Sequence, residues 1–465
     1  MCGILGIFNH DGIELDKVKQ LSSRQSHRGP DEHDYHQFEN GDVIAHERLA
    51  IIDLVTGIQP IKGTDKAYVV HNGEIYNHQK LRDNELKHHQ FHTTCDSEVI
   101  VHLYEEYGYD FCNMLHGVFA FIVSDGTDFI VGRDPIGVKP LYWGKDKNGA
   151  MYFSSEMKAI EDQVEILEAF PPGHYFTPKT GFVKYYNPSW LEAENCKEEL
   201  DLNKLRDALI EATRKRLMSD VPLGVLLSGG LDSSLTSSIA VRLMKEKGQV
   251  LHSFSIGLNE NAPDLIAAQK VADFLGTKHH NIHFTVEQGI EILDKLVWHL
   301  ETYDITSIRA STPMYFLSKF ITDMGDFLQV AMSLDPKYKM PIKGELMEKD
   351  VIRRAFDDPN DPWLPEEILW RQKEQFSDGV GYSWIDELMA YCESKVSDEE
   401  LKDAKNVYPI NTPDTKEAYF MRRLFHKHYP SDSAAKTVKK WIPKWQENKD
   451  PSGRANTVHA QTIEK

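Results

Sequence analysis

Cysteine is scarce in this sequence, five in 465 residues. Cys2, Cys95, Cys112, Cys196 and Cys392 are widely spaced and odd in number. No Cys-x-x-Cys pair occurs, which excludes a disulfide framework and a cysteine zinc knuckle and points to a reducing compartment. Long apolar runs are missing too. No stretch reaches the roughly eighteen residues a membrane span requires. The first residues lack the basic flank and long apolar core of a secretory leader. Positive charge is short: 53 Lys and Arg face 72 Asp and Glu, for a formal net charge of -19. That balance argues against a broad nucleic-acid surface. There is no internal repeat and no low-complexity tract. What remains is a globular composition in a chain too long for one ordinary core, so two domains are expected.

The pattern changes along the chain. Residues 1–186 carry short strand-like runs such as Ile4-Leu5-Gly6-Ile7-Phe8, Tyr68-Val69-Val70 and Phe119-Ala120-Phe121-Ile122-Val123. Asn72-Gly73, Asp125-Gly126 and Pro171-Pro172-Gly173 read as the turns between them. One helix is expected from Ser97 to Tyr107, with Val99, Ile100, Leu103 and Tyr104 on one face. This predicts an α+β domain of antiparallel sheets between helices. Residues 187–199 are acidic and aperiodic and read as a linker. Residues 200–465 alternate helix and strand. Leu202, Leu205, Leu209 and Ala212 mark a helix, Gly224 to Leu227 a strand, and Leu235, Ile239 and Leu243 a helix stopped near Gly248. Leu251 to Ile256 is a strand, a helix runs from about Asp264 to Gly276, and His280 to Phe284 is a strand. That order predicts an α/β domain with a doubly wound parallel sheet.

Cys2 follows Met1. Once Met1 is removed, one residue offers a thiol and a free α-amine. Near neutral pH the amine can take the thiol proton and return it to a leaving ammonia. Read blandly, Cys2 is a buried residue of the first strand. Arg48 enters an apolar strand and needs a partner, for which a substrate carboxylate is suited. Asn72 can aim its amide at a developing oxyanion, and Gly73 lets a backbone N–H approach the same point. The bland alternative is an Asn-Gly hairpin turn. Glu74 can accept from an ammonium or amide. Asp96 precedes a helix, so it reads either as a cap or as a partner for a substrate amino group.

Met1-Cys2-Gly3-Ile4, His27 to Asp31, His46 to Leu54, Asn72 to His78, Asp96 and Gly132-Arg133-Asp134 together resemble the class II glutamine amidotransferase domain, an N-terminal-nucleophile hydrolase. The resemblance implies Cys2 as nucleophile and Asn72 and Gly73 as oxyanion hole. It implies a glutamine site from Arg48, Leu49, Ala50, Ile51, Ile52, Asn72, Gly73, Glu74 and Asp96.

Leu226-Leu227-Ser228-Gly229-Gly230-Leu231-Asp232-Ser233-Ser234 falls between a predicted strand and helix. Adjacent glycines let the backbone curl around an anion, and the helix start and the hydroxyls of Ser228, Ser233 and Ser234 add donors. Asp232 can hold Mg²⁺ on the phosphates. No Gly-x-x-x-x-Gly-Lys occurs, so the loop is not of the Walker type. It is similar to the pyrophosphate loop of ATP pyrophosphatases. Glu301 to Met314, Trp370 to Gly379 and Asp450 to Arg454 resemble glutamine-hydrolysing asparagine synthetases. That family forms an acyl-adenylate of aspartate with ATP and Mg²⁺, then lets ammonia displace AMP. The resemblance implies Leu227 and Ile256 beside the adenine, Lys373 on the phosphates, and Thr306 and Arg309 on aspartate. From the residues alone, Thr306 and Arg309 read equally as a helix surface pair. His279 and His280 are adjacent on a strand and point to opposite faces, so a metal is not expected there. The basic run from Lys436 to Lys444 reads as a solvated tail.

The chain departs from the family at one place. After Met324-Gly325 the family has a buried strand, a Ser-Gly-Glu-Gly-Ser-Asp-Glu loop and several helices. Here Asp326-Phe327-Leu328 follows directly, as if several dozen residues were missing. The expected enzyme is cytoplasmic, a carbon–nitrogen ligase taking glutamine, aspartate and ATP, and compatible with a homodimer. The alternatives are a glutaminase-only chain and a regulatory isoform with a defective synthetase domain. A phosphoribosylpyrophosphate-type amidotransferase is disfavoured by the Ser-Gly-Gly-Leu-Asp-Ser-Ser loop.

Overall fold

Short runs of β-branched and aromatic residues, cut by turn residues, become antiparallel sheets in the N-terminal half of the computed structural model. It describes residues 1–322, 349–371, 379–381 and 383–440. Contacts divide the chain into two units. The first takes Met1–Pro188 with Met218–Val221 and Tyr429–Thr437, and the second takes the remaining described residues.

The first unit opens with β1 (Gly3–Phe8), α1 (Leu15–Ser23), β2 (Glu32–Gln37), β3 (Val43–Arg48), β4 (Ile61–Lys62) and β5 (Tyr68–Ile75). It continues with α2 (His78–Asp83), α3 (Glu98–Tyr107), β6 (Gly117–Ser124) and β7 (Phe129–Arg133). Strands β8 (Tyr142–Lys145), β9 (Met151–Ser154), β10 (Ile166–Ala169), β11 (His174–Thr177) and β12 (Gly181–Lys184) complete it. Two six-stranded sheets result, ordered β10-β8-β9-β1-β3-β2 and β12-β11-β7-β6-β5-β4. Ile4, Phe8 and Phe153 of the first sheet pack on Val70, Ile122 and Val131 of the second. The other face of the second sheet, through Val69, Phe119 and Phe121, packs on Val99, Ile100 and Leu103 of α3.

Helix α3 matches its expected span. Helices α1 and α2 were not anticipated. In α1 only Val18, Leu21 and Ser22 are buried, too sparse an apolar stripe for a pattern reading. Asn72-Gly73 is not a turn. It lies inside β5, opposite Ala120 and Phe119 of β6. An Asn-Gly pair marks a hairpin only where the neighbouring strands end, and here they continue.

In the second unit, α4 (Leu202–Lys215) starts where the Asp201 carboxylate accepts from the N–H groups of Asn203 and Lys204. Then come β13 (Gly224–Leu226), α5 (Leu231–Lys245), β14 (His252–Gly257), α6 (Pro263–Leu275), β15 (Lys278–His283), α7 (Val286–Glu291), α8 (Leu293–Leu300) and α9 (Ile305–Thr322). Gly276 ends α6 in the left-handed conformation, φ 71°, where a glycine carries no Cβ penalty. The sheet is parallel, ordered β13-β14-β15. Ser255 and Asn281 face α6 through Gln269. Phe254 and His280 face Phe320 of α9. Helices therefore cover both faces, as expected. Among the described residues the strand order is sequential and shows no reversal.

The basic run read as a solvated tail begins inside a packed helix, Asp432–Thr437, where Ala434 and Ala435 are buried. Its end, like Met324-Gly325 and Asp450 to Arg454, lies outside the described residues. No described helix is long and apolar enough to cross a membrane.

Candidate active site

Cys2 sits at the foot of β1, half-buried. Its Sγ accepts from the Leu49 N–H at 3.4 Å and lies 3.6 Å from the Leu49 carbonyl. The Arg28 guanidinium holds the Cys2 carbonyl at 2.9 Å through Nε and Glu156 at 2.9 Å through Nη1. Glu156 also receives Lys158. Its carboxyl lies well below the usual range: burial pushes it up, but His27, Lys158 and Arg28 outweigh that. Cys95, Cys112 and Cys392 are different. They are buried, and burial pushes their thiols up, which disfavours the reactive thiolate.

Strand β5 supplies the next groups. Asn72 and Glu74 are two apart and so share one face. Asn72 is 0% exposed, and neither its amide nitrogen nor its amide oxygen has a hydrogen-bond partner. A buried amide without partners is costly unless a ligand completes it. One Glu74 oxygen is unpartnered too. Gly73 between them is required by packing. A Cβ there would meet the Val118 carbonyl oxygen at 2.1 Å.

Asp96 does not cap α3. Ser97 occupies the N-cap and makes no side-chain cap bond. The Asp96 carboxylate instead accepts from the Ile75 N–H at 2.7 Å. Burial pushes the carboxyls of Glu74 and Asp96 above their usual range, and Asp96 raises Glu74 further. Two buried carboxylates in one place favour a bound ammonium. Lys139 also reaches this point. Burial pulls its ammonium down while Glu74 and Cys2 support the charge.

Arg48 is 3% exposed. Its guanidinium pairs with Glu32 and donates to the carbonyls of Ile52, at 3.3 Å, and Asp53. The protein itself thus supplies partners that the sequence reading gave to substrate, and these hold the fork beside Leu49 to Ile52. The Asp53 carboxylate accepts from Thr56 and from the Thr94 N–H at 2.7 Å, tying this loop to the segment that carries Asp96.

In the second unit, Leu227 to Gly230 form the loop between β13 and α5, and Leu231 to Ser234 the first turn of the helix. Gly230 is the N-cap of α5 without a side-chain cap bond, so the first N–H groups remain for an anion. Gly229 has φ 67°, and a Cβ there would lie 2.4 Å from the Ala267 Cβ. The hydroxyls of Ser228 and Ser233 meet at 3.0 Å. Asp232 is 65% exposed and paired with Lys349. Leu227 and Ile256 are buried in the core. Thr306 and Arg309 are one turn apart on α9, but not as a surface pair. Arg309 is buried and grips Glu417 at 3.0 and 2.7 Å, while the Thr306 hydroxyl is buried without a hydrogen-bond partner. Lys373 lies outside the described residues. His279 faces Ser253 at 2.8 Å and His280 faces His252 at 2.9 Å, on opposite sides of the sheet.

Sequence reading missed Lys139, Glu156 and the role of Arg28. One signal was present. Asp134 accepts from the N–H groups of Ile136, Val138 and Lys139, folding the turn that buries the lysine.

A glutamine amidotransferase domain model matches residues 1–177, and an asparagine synthase model matches residues 204–325 and 324–449. The chain is 43% identical to an asparagine synthetase [glutamine-hydrolyzing] 2 of Oryza sativa subsp. japonica, over 98% of this chain and 92% of that protein. It is 43% identical to a probable asparagine synthetase [glutamine-hydrolyzing] of Dictyostelium discoideum over the full length of both. That alignment runs over 559 positions, and the chain has 465 residues, so 94 positions face no residue here. The asparagine synthase match breaks where the sequence departs from the family pattern, at residues 324–325. Two matched domains and near-complete coverage at this identity leave one assignment: the chain belongs to the glutamine-hydrolysing asparagine synthetases, carbon–nitrogen ligases that take their nitrogen from the amide of glutamine.

Proposed function

We propose that residues 1–186, an N-terminal-nucleophile hydrolase fold, release ammonia from glutamine at Cys2, and that residues 200–465, an ATP-pyrophosphatase fold, use it to amidate aspartate, with 187–199 as linker. The observation that carries the first half is the unpartnered, buried Asn72 amide beside the Glu74 and Asp96 carboxylates. With Met1 removed, the Cys2 α-amine takes the thiol proton. The thiolate adds to the glutamine amide carbon, and the Asn72 amide and the Gly73 N–H receive the oxyanion. The C–N bond breaks, the amine proton leaves with ammonia, and water hydrolyses the thioester to glutamate. Glu74 and Asp96 take the substrate ammonium, which answers two carboxylates that burial disfavours as charges. Arg48 and the Leu49 to Ile52 loop close the carboxylate end.

In the second half, the uncapped start of α5 and the Ser228 to Ser234 loop fit the ATP phosphates. Asp232, exposed at the loop, would share Mg²⁺ with them, and the ion would neutralise charge as pyrophosphate departs. Leu227 and Ile256 line the adenine side, Lys373 steadies the phosphates, and Thr306 and Arg309 hold aspartate. A cytoplasmic homodimer fits this reading. The test is Cys2→Ala. Glutamate release should disappear while ammonia-dependent asparagine formation persists. A variant that hydrolyses glutamine at the parent rate would overturn the assignment of Cys2.

A further inference from the structure

Helix α3 carries a second cluster on its outer turns. His102 and Glu105 are three apart and meet on one face. The chain after α2 brings His88 and His89 against them. His102 Nδ1 lies 2.9 Å from Glu105 Oε2, and His89 Nδ1 lies 3.8 Å from the same oxygen. The Thr64 hydroxyl stands 3.2 Å from His89 Nδ1 and 3.5 Å from His102 Nδ1. A tetrahedral zinc ion with bonds of about 2.0–2.1 Å has donor–donor edges of about 3.3 Å. The four measured edges, 2.9 to 3.8 Å, bracket that length.

Three further features suit a cation. The His102, His89 and Glu105 side chains are 0%, 9% and 10% exposed. Glu105 Oε1 is already occupied by the Asp65 N–H at 3.0 Å, which leaves Oε2 turned into the cluster. The far nitrogen of each ring lies near a carboxylate: His89 Nε2 is 3.3 Å from Glu106, and His102 Nε2, which makes no hydrogen bond, is 3.5 Å from Glu98. A carboxylate beside the far nitrogen is the usual outer support of a metal-bound imidazole.

We propose that His89, His102 and Glu105 bind one divalent transition-metal ion of the zinc class, with the Thr64 hydroxyl or a water as fourth donor. The ion joins three stretches of chain: the turn after β4, the segment after α2, and α3. Its outer shell extends to the segment before Asp96, because Glu98 also accepts from the N–H groups of His92 and Thr93, at 2.7 and 2.8 Å. His88, exposed and 2.5 Å from Glu106, lies outside the site.

The probe is Co²⁺ alone, titrated into the full chain carrying Cys2→Ala to remove the reactive thiol, and followed by visible absorption. One ion per chain with the intense bands of tetrahedral Co²⁺ is expected, displaced by Zn²⁺. His89→Gln or Glu105→Gln should weaken binding at least tenfold, and His88→Ala less than threefold, by the usual scale of ligand and support losses, about 10–100-fold. Circular dichroism checks folding. Should either variant misfold, the surface change Glu106→Gln serves instead, with a loss of about tenfold. Absent Co²⁺ bands, equal affinity in all variants, or an equal loss in His88→Ala would each overturn the site.

Discussion

The two units solve the problem of a polar site in opposite ways. In the first, the groups that would bind glutamine are buried, some held by the protein's own hydrogen bonds and one left without a partner. Arg48 is locked by Glu32 and two carbonyls, Asp96 by the Ile75 N–H, and Asn72 is buried without a partner. In the second, the Ser228 to Ser234 segment proposed for ATP phosphates is local and partly exposed, with Asp232 facing a lysine. A preorganised pocket loses function when one residue changes. A backbone loop tolerates side-chain change but depends on the elements around it.

The sharpest break of this contrast is Cys2→Ala. We expect glutamate release to fall by roughly a thousandfold or more, because the attacking thiol is removed, while ammonia-dependent turnover in the second unit stays unchanged. Asn72→Ala comes next. Loss of one oxyanion donor costs about 10²–10³ in kcat with little change in KM, and steady-state glutaminase kinetics would show it. An effect on KM alone would make Asn72 a binding group instead.

The third prediction concerns the buried Arg309–Glu417 ion pair of the second unit. Glu417→Gln leaves the Arg309 charge poorly matched, and stability should drop by about 3 kcal/mol in urea unfolding. A loss below about 0.5 kcal/mol, the range of exposed pairs, would contradict the burial seen here. The fourth compares the halves directly. The asparagine synthase match is split at residues 324–325, whereas the glutamine amidotransferase match is continuous. Glutamate release should therefore exceed asparagine formation by about tenfold or more, since even 1.4 kcal/mol of lost transition-state stabilisation has that effect. Amino-acid analysis of one reaction mixture reads both products, and a one-to-one ratio would refute it.

The smallest effect is a gain. Burial raises the Glu74 carboxyl, so its protonated form is compatible with the fold. The stability this provides is present below the ordinary carboxylate range and lost as pH rises through the raised value. Glu74→Gln should lift the thermal midpoint by a few degrees at pH 8 and not at pH 4, while weakening glutamine binding. Calorimetry at the two pH values decides it.

Much of this was legible in the chain. The β-rich first region, helix α3 and the strand–loop–helix of Ser228 to Ser234 follow from period and from turn residues, because those signals act over a few neighbours. Cys2, Asn72, Glu74 and Asp96 were named from residue type and order. Other features were not legible. Asn72-Gly73 reads as a turn, because only pairing with β6 shows the strand running through it. Glu156 carried no local sign of the pocket, and Lys139 only the Asp134 turn that precedes it, since both enter from distant loops. Arg309 reads as a surface residue until Glu417, 108 positions away, is placed beside it.

Sequence by itself determined the family, the sheet-rich first region, helix α3 and the strand–loop–helix around Ser228. Those depend on short-range sterics, apolar period and residue identity. Tertiary structure alone decided which polar groups are partnered and which are left for a ligand. Asn72 is orphaned, Arg48 is committed, and His89 meets His102 and Glu105. Burial and long-range contact set the cost of an unpaired charge or amide, and neither is a property of any short stretch of chain.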